Sequence, residues 1–530
     1  MALSEARLGS RPLLDSILRS GAGLTCGFFI SPGRVDSLLK KEEALATFAA
    51  VVGLSWSLIP ETFEVAFRNN QTNILLAMVP AWPFTCLPVG ALMKTPHLET
   101  LKALLDGLDV LMSEEACPRG GKIRVLDLTD VDSDFWSIWS GMYKKDGCHH
   151  DMRQKKKPAE TCPYSGLKNC LNIVTDLKLV NSQLDECAMY LWQWAQQRKG
   201  SVHLCCRKLE ILESCLSDAI DILRSVDLHC ICELNVRDLC IEDLALFGPY
   251  LGQMRNLHTL VLESIVNTFG IGEAEELEYE LMNSLFSQLT KLHCLQHLFV
   301  DDIYVLIGSL EEWLGCLKKP LETLSIAFCH LIQRDLDYLP QCPNLSGLRH
   351  LTLSHTILGE WFEPLGKLLE RVKDTLQTLD LENCWLGHSA FSAFMPALSQ
   401  CSQLLRINFS NNQLSLPLLK QLLHHTAKLN KLTEELYPVP LECFDDRDLV
   451  LRERFDKIRP ELLDILGVDF LPNTKAGSKE EAVEEQSAKA ERAGRGFHAD
   501  AGISRVKTKG CATPVPVHSC EPRGELRAWA

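Results

Sequence analysis

An α/β solenoid, with one short strand and one helix per coil, is the fold class this sequence predicts, on three observations. The first is a recurring string. Leu348 to Leu358 reads L-R-H-L-T-L-S-H-T-I-L, and the form L-x-x-L-x-L-x-x-[C/N/T]-x-L returns at Leu321-Leu324-Ile326-Cys329-Leu331, at Leu376-Leu379-Leu381-Cys384-Leu386 and at Leu404-Ile407-Phe409-Asn412-Leu414. Looser copies, without the small polar ninth residue, start at Ile231, Leu257 and Leu295. The second observation is spacing. Successive first residues lie 26, 38, 26, 27, 28 and 28 apart, the long end of the leucine-rich-repeat range, which leaves room for a full helix in each coil. The third is the end of the pattern near Leu466, with Phe497 and Trp529 the aromatics of residues 473–530.

In L-x-L the two leucines point to one face of a short strand and the x residue to the other. One strand cannot bury that face alone, so stacked coils share a continuous core and build a curved parallel sheet, a horseshoe with its helices outside. The Cys, Asn or Thr at the ninth position turns the chain inward, where its polar group can satisfy backbone left unpaired by the turn. The x residues then line the concave side. Thr352, Ser354, Asp380, Glu382, Asn408 and Ser410 are the candidate partner contacts there.

Taken in order, residues 1–33 hold the Gly-rich GAGLTCG and SPG and are expected to be a flexible leader. Residues 34–120 form a helical N-terminal cap. Asp36 or Ser37 can cap its first helix, in which Leu38, Leu39, Ala44, Leu45, Phe48, Ala49 and Val52 recur at helical spacing. A second helix carries Phe63, Val65, Ala66 and Phe67, and a third runs through Ile74, Leu75 and Met78 to end near Pro80. Prolines keep Ala81 to Pro88 from being helical, and the aromatics Trp82 and Phe84 should dock that segment on its neighbours. Leu98 to Leu111 is amphipathic.

The solenoid is expected over 121–466. Its first strand is read at Ile123–Leu128, a polar, basic loop at about 141–162, a strand at Leu171–Leu179, a helix at Leu184–Trp194, and the next repeat from Val202. The long gap after Leu262 should hold an insertion. Later helices are read at Leu365–Val372 and Leu416–Leu429. Residues 467–530, rich in Ala, Gly, Lys, Glu and Pro, are expected to be a disordered tail.

Composition narrows the function. The 530 residues are 46% hydrophobic, enough for a large core, and the net charge of -15 argues against a general phosphate-binding surface. Twenty-two cysteines are scattered, some at repeat core positions such as Cys329 and Cys384, and the N-terminus lacks the apolar run of a signal peptide. No stretch approaches the roughly 18 apolar residues of a membrane span. The expectation is a reducing compartment, cytoplasm and also nucleus, with buried free thiols.

The runs Ala77-Met78-Val79-Pro80-Ala81-Trp82-Pro83-Phe84-Thr85-Cys86-Leu87-Pro88 and Leu101-Lys102-Ala103-Leu104-Leu105-Asp106-Gly107-Leu108-Asp109-Val110-Leu111 are distinctive. So are Val125-Leu126-Asp127-Leu128 with Asp134-Phe135-Trp136, Gly248-Pro249-Tyr250-Leu251-Gly252-Gln253-Met254, and Tyr437-Pro438-Val439-Pro440-Leu441-Glu442. Together these closely resemble the PRAME family, the preferentially expressed antigen of melanoma and its germline relatives, over about residues 34–465. The resemblance implies a leucine-rich-repeat protein without enzymatic activity or cofactor. It implies a substrate receptor of a cullin-2 RING ubiquitin ligase, joined through elongin B and elongin C, with links to repressed retinoic-acid-receptor signalling, reduced differentiation and apoptosis, and proliferation. Ala44, Leu45 and Ala49 match the elongin-binding helix of such receptors, whereas Leu54-Ser55-Trp56-Ser57-Leu58 departs from the segment that follows it in the family.

Other motifs weigh less. There is no G-x-x-x-x-G-K-[ST], G-x-S-x-G, H-E-x-x-H or paired C-x-x-C, which leaves no recognisable catalytic or zinc-finger signature. Cys205-Cys206 and Cys230-x-Cys232 read as core thiols, and Cys148-His149-His150 with Cys162 as a solvated loop. Lys155-Lys156-Lys157 offers a nuclear-import reading beside that same loop reading. Three L-x-x-L-L strings, at Leu101, Leu365 and Leu419, have the spacing of receptor motifs and equally of core-facing helices, and the core reading is preferred. The function expected is protein binding: a ligase adaptor first, with a corepressor scaffold or a horseshoe-type enzyme inhibitor as alternatives.

Overall fold

The structure, a computed structural model, describes residues 59–93, 97–113, 123–129, 170–212, 216–266, 275–303, 308–358, 363–447 and 449–466, with the backbone of 503–506. They form two compact units that meet in sequence at Leu348 and Arg349. Among the described residues no helix is long and apolar enough to cross a membrane.

The first unit opens with α1 (Ile59–Arg68), α2 (Thr72–Met78) and, after a proline-rich crossing, α3 (Leu98–Met112). Phe63, Ala66, Ile74, Leu75, Leu101, Leu104, Leu105 and Leu108 are at most 1% exposed, so these helices bury their apolar stripes against one another. The crossing is docked as its aromatics suggest: Trp82 meets Phe63 edge-on at 5.2 Å, and its Nε1 donates to the Cys86 carbonyl at 2.9 Å. That bond lets a polar ring tip be buried without penalty. Gly107 is where α3 crosses α2. A Cβ there would sit 2.8 Å from the Val79 Cβ.

The first strand lies earlier than the sequence pattern placed it. β1 (Cys86–Pro88) precedes β2 (Val125–Asp127) and pairs with it in parallel, Leu87 opposite Leu126. A proline is tolerated because β1 ends the sheet path: in the alternation of bonding, the amide of residue 89 turns to Asp127, and that of residue 88 would face away. The parallel ladder continues through β3 (Leu171–Val180), β5 (Val202–Leu212), β6 (Glu233–Arg237), β7 (Thr259–Ile265), β8 (His297–Ile303) and β9 (Thr323–Ala327). The short β4 (Gln183–Leu184) folds back on β3.

Helices return the chain between strands: α4 (Glu186–Gln196), α5 (Leu216–Ser225), α6 (Ile241–Leu251), α7 (Glu275–Leu289), α8 (Leu310–Gly315) and α9 (Gln333–Tyr338). In the long coil after Leu262 the return helix is α7, 15 residues against the 11 of α6, and residues 267–274 ahead of it lie outside the described residues. Arg198 ties the cap to the first coils: its guanidinium grips the Asp109 carboxylate of α3, Nε to Oδ1 at 2.6 Å, and lies 4.3 Å over the Trp194 ring. Another knot is Asp335, 1% exposed, whose carboxylate accepts from the amides of Gly308, Leu310 and Ile332 at 2.8, 3.1 and 3.1 Å.

The second unit repeats the scheme with β10 (His350–Thr352), α10 (Glu363–Val372), β11 (Thr378–Asp380), α11 (His388–Leu398), β12 (Arg406–Asn408), α12 (Leu416–Thr426), β13 (Glu434–Tyr437) and α13 (Arg452–Ile465). Leu351, Leu379 and Ile407 stand in register in the core. The next residue in that row is Glu435, 1% exposed, which accepts from the Tyr437 hydroxyl at 2.6 Å. Of the span 467–530, the described part is the backbone of β14 (Ile503–Val506), antiparallel to β13; the rest of the expected tail, like the expected leader, lies outside the described residues.

Two regularities set the turns. At the ninth position Asn412 is fully used: its Oδ1 accepts from the amides of Cys384 and Leu386, and its Nδ2 donates to the carbonyls of Leu381, Phe409 and Ser410. Cys384 donates its thiol to the Leu353 carbonyl at 2.9 Å in the same role, and burial pushes its pKa up to about 12. Just before it, at the eighth position, the backbone is left-handed in Asp238, Ser264, Asp302, Phe328, His355, Asn383 and Asn411, with φ from 49° to 59°. Each follows its repeat's first apolar residue by the same seven positions.

Candidate interaction surface

The x positions of the second unit's strands lie on the sheet face opposite the leucines, and there the structure gathers most of the residues expected to contact a partner. Asp380, Glu382 and Asn408 form one network. Asn408 Nδ2 donates to Asp380 Oδ2 at 3.3 Å and to Glu382 Oε2 at 2.9 Å, and Asn411 Nδ2 donates to Glu382 Oε1 at 3.0 Å. Asp380 and Asn408 also brace their own turns: the Glu382 amide donates to Asp380 Oδ1 and the Ser410 amide to Asn408 Oδ1, both at 3.0 Å. Ser410 thus joins through its backbone. Thr352 stands beside Asp380 by strand register, and Ser354 follows two residues on, its carbonyl accepting from Thr356.

All six side chains are half-buried, so this is a firm, recessed surface rather than a fringe of solvated chains. Burial raises the Asp380 carboxyl above its ordinary range, with Glu382 adding repulsion, while the Glu382 amide and Asn408 offset part of the rise. Beside the network, His355 Nδ1 receives the Asn383 amide at 3.1 Å, and burial lowers this imidazole's pKa. Arg406 and Glu434 close the surface with a two-point ion pair, Nε to Oε2 at 2.6 Å.

The tenth position adds residues that the repeat pattern passed over. Ile357 and Trp385 occupy it in successive coils and are 47% and 59% exposed. The signal was present: a tryptophan at a position the core does not need has no structural reason to be there.

The remaining expected sites separate clearly. Leu101, Leu104 and Leu105, Leu365, Leu368 and Leu369, and Leu419, Leu422 and Leu423 are all 5% exposed or less, so each L-x-x-L-L string faces the core. Ala44, Leu45 and Ala49, the lysine run 155–157, and Cys148, His149, His150 and Cys162 lie outside the described residues. In the first unit, Cys230 comes within 3.5 Å of Asp227 Oδ2, which is itself 3.1 Å from His203 Nε2. Hydrogen bonding to Cys205 and burial push the Cys230 thiol far up, the opposite of what a nucleophilic cysteine needs.

Comparison with known proteins agrees with this architecture. Residues 34–136 match the PRAME N-terminal domain and residues 171–476 the PRAME C-terminal domain. Oogenesin-3 of Mus musculus is 47% identical over 429 residues, 81% of this chain and 85% of that protein. PRAME family member 12 of Homo sapiens is 40% identical over 435 residues, 81% and 88% of the two chains. With both domains matched and relatives of this identity covered over most of their length, the chain belongs to the PRAME family.

Proposed function

We propose that this protein is a non-catalytic adaptor that holds a target protein on the open face of its repeats and delivers it to a cullin-2 RING ubiquitin ligase. The observation that carries the binding half is the preset surface of Asp380, Glu382 and Asn408, and the same unit exposes Ile357 and Trp385. A polar, geometrically fixed centre and exposed apolar side chains are what recognition of a protein segment uses. Its carboxylates favour a target that presents Lys or Arg. Ligase recruitment rests on family membership and on Ala44, Leu45 and Ala49, which would enter the groove of elongin C, with elongin B accompanying it. Ubiquitin transfer would be the partners' chemistry, acting in cytoplasm or nucleus on regulators of transcription, differentiation and apoptosis.

Affinity purification of the full chain from cells tests this. Elongin C and cullin-2 should co-purify, and Leu45→Asp should abolish both. Glu382→Lys should leave them in place while removing the target. A wild-type chain that recovers neither elongin C nor cullin-2 defeats the ligase reading. Recovery of chromatin-bound receptor complexes in their place would establish a corepressor scaffold, and one dominant enzyme, inhibited in vitro, a horseshoe-type inhibitor.

A further inference from the structure

The core-thiol reading of Cys205 and Cys230 accounts for their burial but not for their company. His203 and Cys205 are two apart on β5 and so share a face by the period of the strand. Leu204 between them belongs to the hydrophobic cluster of the N-terminal helices and first strands, whereas Cys205 and Cys230 sit apart from it in a small buried cluster with Val174. Asp227 approaches from the turn after α5. Its Oδ1 is committed to capping the turn Leu228–Cys230, accepting from the His229 amide at 3.0 Å, which leaves Oδ2 aimed at His203 Nε2 and Cys230 Sγ. His203 Nδ1 is buried and makes no hydrogen bond among the described residues, so the imidazole's polar outlet is Nε2.

We propose that His203, Cys205, Asp227 and Cys230 form a structural zinc site that staples β5 to the turn leading into the next coil. The ligand atoms of His203, Asp227 and Cys230 lie within 4.8 Å of one another, and Cys205 is within hydrogen-bonding reach of Cys230. Around a tetrahedral zinc the edges between N, O and S ligands are about 3.3–3.8 Å, from bond lengths of about 2.0 Å to N and O and 2.3 Å to S. The observed 3.1 and 3.5 Å edges need only small adjustment. Two thiolates, a carboxylate and an imidazole are a soft, mixed set suited to zinc rather than to magnesium or calcium. Loading exchanges two thiol protons for the metal: Zn²⁺ and two Cys–SH give a zinc dithiolate and two H⁺, with Asp227 and neutral His203 as the other ligands. The unpaired Nδ1, which most zinc-bound histidines back with an acceptor, sets the affinity below that of a fully supported site.

The test uses the full chain expressed with added zinc and purified without chelator or external thiol. Elemental analysis should find one zinc per chain, and cobalt exchanged for it should show the charge-transfer absorption of thiolate ligation. His203→Ala and Asp227→Asn change half-buried residues, leave the thiols in place, and should cut zinc affinity by about 10- to 100-fold with an unchanged circular dichroism spectrum. Cys230→Ser should lose the metal and Cys316→Ser should keep it. Should Cys230→Ser fail to fold, the first two variants decide the matter. A zinc-free wild type overturns the proposal. So does full zinc retention in His203→Ala and Asp227→Asn, which would move the metal to the Cys148–Cys162 segment, and so does a chain lighter by two hydrogens that carries a Cys205–Cys230 disulfide.

Discussion

Replacing Asn412 is the sharpest probe of the repeat's construction. In Asn412→Ala the amides of Cys384 and Leu386, both buried, lose their acceptor, and the carbonyls of Leu381, Phe409 and Ser410 lose a donor. Carbonyls tolerate such a loss better than amides, so the two N–H groups dominate, at about 1–3 kcal/mol each. The expected cost is about 4 kcal/mol, close to the upper end for single substitutions. Urea unfolding followed by circular dichroism should show it as a midpoint lowered by roughly 2 M, taking an m-value of about 2 kcal/mol/M. Asn411→Gly, one residue away and exposed, gives up a single bond to Glu382 at a left-handed position that glycine accepts without strain, and should cost less than about 1 kcal/mol. Asn412→Asp adds a sign. It sets a carboxylate against three carbonyl oxygens, so its folded pKa lies above its unfolded one, the folded state holds more protons, and stability is regained as pH falls through the folded pKa. If Asn412→Ala lies within about 1 kcal/mol of wild type, the ninth-position argument is wrong.

Three further outcomes follow from buried contacts. Asp335→Ala strands three amides at once and should cost about 3–5 kcal/mol, readable as a lowered thermal midpoint and faster proteolysis; an unchanged midpoint would show that water replaces the carboxylate. Gly107→Ala should destabilise the N-terminal helices by about 1–3 kcal/mol, since its methyl meets Val79 within contact distance; a neutral result would mean the helices separate freely. Asp380, raised by burial, holds its proton more tightly folded than unfolded, so its ionisation subtracts stability as pH climbs out of the ordinary carboxylate range and through its folded pKa. Asp380→Asn should flatten that part of the stability–pH curve, and parallel curves for the two proteins would refute the assignment.

Much of this fold could be read in advance because the leucines carry two periods at once, two residues within a strand and 26–28 between coils in all but the 38-residue coil from Leu257 to Leu295. β1 escaped because Cys86-Leu87-Pro88 is too short to show a period and ends in a residue that usually forbids a strand. Glu435 broke the pattern at a position the leucines had reserved, and the Tyr437 hydroxyl that donates to it is a contact that spacing does not announce. The open-face residues followed from alternation alone, whereas their joining into a network depends on side-chain reach, which spacing does not encode. His203, Cys205, Asp227 and Cys230 come from a strand and a separate turn, so no linear motif announces them.

The left-handed residues divide each coil into two limbs with different tolerances. From the first leucine to the left-handed turn the count never varies, even where the following coil is 38 residues away. All change of length falls on the returning, helical limb. Insertions and deletions can therefore accumulate over generations behind the sheet while the open face keeps its grid of positions, one row per strand about 4.8 Å apart. A gene family that multiplies and diversifies on such a frame can change its open face one grid point at a time, without having to refold around each change.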